Sequence, residues 1–107
     1  MIPKGQFVTD CRDGDSIRAV FLISQCRLLT ARNGKPYAKL LLTDKSGDIT
    51  GFLWEDARQQ ISDICQGDVV GVRGIVESYD GRLQIKVEKV MKLDEDKVDL
   101  STLIATT

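Results

Sequence analysis

Apolar positions along this chain recur mainly at a spacing of two, in short runs separated by turn-forming residues, which predicts strands. Residues 16–30 form a long β-prone run, Ser-Ile-Arg-Ala-Val-Phe-Leu-Ile-Ser-Gln-Cys-Arg-Leu-Leu-Thr. It exceeds an average strand and is expected to bend. Asn33-Gly34 supplies a turn, because both residue types accept positive φ at little cost. A second strand over 36–43 opens on Pro36, where a missing N–H is tolerated. Asp44 to Gly47 form the next turn and residues 48–54 a third strand. The period then lengthens: Ala57, Ile61, Ile64 and Cys65 share one helical face, predicting a helix over 55–65. Its first turn holds Glu55 and Asp56, at the positive end of the helix dipole, and Gln66-Gly67 ends it. A fourth strand over 69–77, a turn at Ser78 to Gly81 and a fifth strand over 82–90 complete the pattern.

Three strands, a helix and two strands, all with tight connections, leave exposed sheet edges unless the sheet closes on itself. The expected architecture is all-β, a five-stranded barrel with one helix between strands three and four, which is the OB-fold. Gly51, Gly71 and Gly74 fall inside strands, where glycine marks the bends or bulges that a small barrel needs. Residues 1–15 are read as a lead-in, 16–92 as the barrel and 93–107 as an acidic linker.

Alternation also assigns faces. Ala38, Leu40 and Leu42 point inward, as do Ile49 and Leu53. Tyr37, Lys39, Phe52 and Trp54 are therefore left together on an outer face. Rings clustered in water beside a cation are unusual without a partner, and they suit single-stranded nucleic acid: bases stack on rings while cations meet phosphates. Arg27, Arg32 and Lys35 lie at or near the first hairpin, Arg82 and Lys86 at the start of strand five, and Tyr79 in the loop before it. In an OB-fold these strands and loops make the binding face. Other placements remain open. Trp54 has room to tuck under the helix, and Phe52 with Leu41 could instead meet a second copy or another domain.

The chain has 107 residues, 42% hydrophobic and 29% charged, which fits one globular domain. Its net charge of −1 hides an uneven distribution. Residues 16–92 carry 12 Lys and Arg against 9 Asp and Glu, while acids gather in Asp10, Asp13, Asp15, Asp94, Glu95, Asp96 and Asp99. Cys11, Cys26 and Cys65 form no CxxC pair, and without histidine they argue against a structural zinc site. Two of the three are expected to be buried thiols. The start lacks a secretory h-region and no apolar run is long enough to cross a bilayer, so a cytoplasmic location without a membrane partner is the expectation. Scattered carboxylates and lone cysteines offer no nucleophile–base pair, so no catalytic residue, metal site or cofactor is assigned to these residues.

Arg32 to Tyr37, Leu40 to Ile49 and Leu53-Trp54 resemble the N-terminal OB domain of YhaM-type 3′-5′ exoribonucleases. Gly67 to Val70, Val72 to Gly74 and Gly81 to Lys86 continue the likeness. The resemblance implies a module that holds single-stranded RNA or DNA for an HD-type, divalent-metal hydrolase domain in the same protein. It also makes Val98 to Ser101 look like the lead into that domain. An HD site needs histidines, and this chain has none, so the nuclease activity would lie elsewhere. The alternative is an OB domain used for protein interaction or dimerisation.

Overall fold

A computed structural model describes residues 2–104. Five strands close into a barrel: β1 (Ser16–Thr30), β2 (Pro36–Asp44), β3 (Gly47–Leu53), β4 (Val69–Tyr79) and β5 (Arg82–Lys92). Their order around the barrel is β1-β2-β3-β5-β4. All pairings are antiparallel except β3 with β5, whose parallel contact completes the cylinder. This is the expected OB arrangement.

β1 serves two neighbours. Ser16 to Leu22 pair with β4, and Leu22 to Thr30 pair with β2, with a register shift between Ile23 and Gln25. That shift bends the long strand from one side of the barrel to the other. A second irregularity lies in β4 between Arg73 and Gly74. There a Cβ on Gly74 would sit 2.3 Å from the Lys86 carbonyl oxygen, so only glycine permits β4 and β5 to approach this closely. The β4–β5 hairpin turns on two residues, Asp80 (φ 54°) and Gly81 (φ 78°), both left-handed. β4 thus runs on through Ser78 and Tyr79, which had been expected in the turn.

The barrel interior holds the inward residues assigned by alternation. Ala38, Leu40, Leu42, Ile49 and Leu53 are buried with Phe21, Ile23, Val70, Val72, Val76, Ile85 and Val87.

The helix is much shorter than expected. α1 spans only Ala57–Gln60, and Asp56, with φ 50°, precedes it rather than lying in its first turn. Beyond it the chain coils in turns, and the Asp68 carboxylate accepts the Cys65 N–H at 2.8 Å. That side-chain bond gives the backbone an alternative to a continuing helix. Of the expected stripe, Ala57 and Ile64 are buried and Ile61 is half-buried, but Cys65 is exposed. Gln60 fastens the single turn to β5: its amide donates to the Glu55 and Glu88 carbonyls, and its oxygen accepts the Val90 N–H at 3.0 Å.

Both flanking segments fold against the barrel. Val98 and Leu103 are buried on Val20 and Val69, with Ile2, Leu22 and Leu93 packed beside them. Residues 93–104 are docked, because Leu93, Val98 and Leu103 cover an apolar strip on the outside of β1 and β4. Met1 and residues 105–107 of the expected lead-in and linker lie outside the described residues. At the other flank Lys4 reaches Asp44 at 3.1 Å, the two side chains 7% and 0% exposed. Only Cys11 of the three thiols is buried; Cys26 is half-buried, where burial raises its pKa.

Candidate nucleic-acid interface

The ring cluster follows from strand register. Ala38 of β2 opposes Leu53 of β3, so the residues just beyond them, Tyr37 and Trp54, fall side by side. Their rings stack with centroids 4.5 Å apart and planes 21° from parallel. Phe52 lies 6.3 Å from Tyr37 at 43°. Trp54 remains 39% exposed, so it forms part of the outer platform and is not tucked under α1. Tyr37 and Phe52 are half-buried.

The cations fall into line by the same register. Arg27 pairs with Lys39, Lys39 with Phe52, and Phe52 with Lys86, making one row across β1, β2, β3 and β5. All three cations are exposed. Among the described residues the ion pairs are Lys4–Asp44 and Lys92–Asp68, so none of the row's charges is neutralised by a protein carboxylate within 4 Å.

Below the platform, Phe52, Trp54, Tyr79 and Lys86 line a groove of about 310 Å³ together with Glu77 and Gln84. Tyr79, 71% exposed, belongs to the same lining. Arg82 falls instead in a neighbouring groove with Leu41, Asp48 and Thr50. Arg32 and Lys35 are exposed at the tip of the β1–β2 turn, outside both grooves. The sequence-assigned residues thus divide into a platform with its cation row, and three cations around its margin.

Glu77 and Gln84 were missed from sequence. They oppose each other across β4 and β5, and the Gln84 amide donates to Glu77 Oε1 at 3.2 Å. The signal was available: a two-residue Asp80-Gly81 turn fixes Tyr79 opposite Arg82, hence Glu77 opposite Gln84. A separate groove of about 410 Å³ lies across β1, β4 and β5, lined by Ile2, Val20, Met91 and Leu93 among others. Its walls carry no ring on which a base could stack.

A closed OB barrel presenting rings and unpaired cations across its second and third strands is the architecture of a nucleic-acid-binding domain. The chain belongs to the OB-fold nucleic acid binding domain family of the tRNA anticodon type, whose model matches residues 10–93. It is 32% identical over 94 residues to the 3′-5′ exoribonuclease YhaM of Geobacillus sp. (strain WCH70), covering 87% of this chain and 29% of that relative. The chain therefore spans less than a third of the relative's length. In structure it is similar to the second OB-fold domain of replication protein A from Methanococcus maripaludis, at TM-score 0.66 and 19% identity, covering 84% of this chain and 95% of that one. It is also similar to a chain of a replication protein A heterotrimer bound to ssDNA, at TM-score 0.60 and 20% identity, covering 83% and 65%.

Proposed function

We propose that this domain grips a short single strand, RNA or DNA, with bases stacked on Tyr37, Phe52 and Trp54 and phosphates met by Arg27, Lys39 and Lys86. The observation that carries the reading is the coincidence of an exposed stacked platform with a row of unpaired cations in one cross-strand register. The relative's name and the ssDNA-bound structural neighbour support it. Arg32, Lys35 and Arg82 add attraction at the margins.

The same reading makes the domain a substrate-holding part of a 3′-5′ exoribonuclease, with hydrolysis carried by an HD-type region outside the segment shared with the relative. A divalent metal does not fit the donors here. The chain has no histidine, and no group of three or more metal-ligating side chains occurs among the described residues.

Trp54 is the chain's one tryptophan and sits in the platform, so its fluorescence reports the site. Titration with short oligo-U and oligo-dT should quench it. Tyr37→Ala should weaken binding at least about fivefold, since one base–ring stack is worth ~1–3 kcal/mol, and Lys39→Ala should weaken it less. Unchanged affinity in both variants removes the site. Sedimentation showing a tight dimer with no oligonucleotide affinity would replace the reading with a dimerisation module.

A further inference from the structure

The face described above is cationic and aromatic, yet its groove has a carboxylate in its lining. Glu77 is half-buried and lines the groove with Phe52, Trp54, Tyr79 and Lys86. Among the described residues it makes no ion pair within 4 Å, and its hydrogen bond is the one from Gln84. A negative charge there opposes phosphate binding, so it gains nothing for a surface that only tracks a backbone. It gains a great deal where a base, rather than a phosphate, enters the groove.

The bond from Gln84 to Glu77 Oε1 also decides what the pair offers. It engages a Gln84 amide hydrogen and one lone pair of Glu77 Oε1, and leaves Glu77 Oε2, the second lone pair of Oε1 and Gln84 Oε1 as acceptors. A base edge rich in donors is favoured opposite such a pair. Guanine presents N1–H and N2–H₂ side by side, a match for one carboxylate in two parallel bonds. Adenine and cytosine offer a single exocyclic amine. Uracil presents one N–H between two carbonyl oxygens, which the acceptors repel.

We infer that Glu77, held by Gln84, is a specificity-determining residue that selects guanine at one subsite of the groove that it lines with Phe52 and Tyr79. The inference rests on the proposed single-strand binding and adds selectivity at one position to stacking that by itself accepts any base.

The test uses uridine pentanucleotides carrying one guanosine at each of the five positions in turn, read by Trp54 fluorescence. One position should bind about tenfold more tightly with guanosine than with uridine, in line with the discrimination typical of a bidentate base contact. Inosine, which keeps N1–H and lacks the N2 amine, should fall between the two at that position. Glu77→Gln should collapse the guanosine-to-uridine ratio towards one. Equal affinity for all pentanucleotides, with binding itself intact, overturns the inference and leaves the single-strand reading standing. A preference that survives Glu77→Gln also overturns it. Loss of binding to every pentanucleotide removes both.

Discussion

Asp44 closes β2 with its carboxylate enclosed by four donors: Lys4 Nζ, the Val8 and Ser46 N–H groups, and the Ser46 hydroxyl. Burial pushes its pKa up, but the bonds from Ser46, Val8 and Lys4 outweigh that and hold it below the ordinary value. A carboxyl whose folded pKa is depressed contributes stability in full above its unfolded pKa, ~3.9, and loses it as pH falls through the folded value. Asp44→Ala should therefore destabilise the domain by about 3–5 kcal/mol at neutral pH, the range for removing one partner of a buried pair. In urea titrations the gap between wild type and variant should narrow as the buffer is taken below about pH 4. A constant gap across that range would show that the ionised carboxylate is not what holds the N-terminal segment. In the sequence Asp44 is only the first residue of a turn. Two of its partners, Val8 and Lys4, lie 36 and 40 positions away, and no local pattern announces them.

Alternation sorted the strands well because each has one face in the barrel, where a one-residue slip would bury polar side chains. The inward set Ala38, Leu40, Leu42, Ile49 and Leu53 was legible for that reason. The helix was not: its apolar spacing is equally satisfied by one helical turn followed by irregular coils that bury Ala57 and Ile64. Gly74 was legible as a place where the strand must bend, though not as a contact. Filling it places a methyl group against backbone, with no flexible side chain to give way. Gly74→Ala should cost about 1–3 kcal/mol, as overpacking does, and lower the thermal midpoint by several degrees at ~4–8 °C per kcal/mol for a domain of this size. An unchanged midpoint would mean that β4 and β5 separate there without penalty. The docking of the tail was not legible because Val98 and Leu103 are spaced too irregularly, among acids, to register as an amphipathic face. They pack through short 3-10 turns capped by Asp94 and Asp99.

At the scale of the whole molecule, a net charge of −1 argues against a polyanion as partner, yet distance separates the acidic tail from the cation row. The acidic tail packs at the start of β4 and reaches the β2–β3 turn, where the Lys45 N–H bonds to the Thr102 carbonyl. Tyr37 stands at the other end of β2, eight residues from Lys45, or about 25 Å at ~3.3 Å per residue. That is some three Debye lengths at physiological salt, ~8 Å each, so an approaching strand is screened from the tail and meets the cation row. The row crosses four strands, about 14 Å at ~4.8 Å per strand gap, which suits a footprint of about four nucleotides, the low end for an OB-fold. With about three or four phosphates neutralised, log affinity should fall with log salt at a slope of about −2 to −3, at ~0.7 per phosphate. Changing Asp94, Glu95 and Asp96 together to their amides should move affinity at 0.15 M salt by less than about twofold. Lys86→Ala should reduce the slope by nearly one phosphate's share. A large gain on neutralising the tail, with no change of slope in Lys86→Ala, would place the strand along the tail's flank of the barrel instead of across β2, β3 and β5.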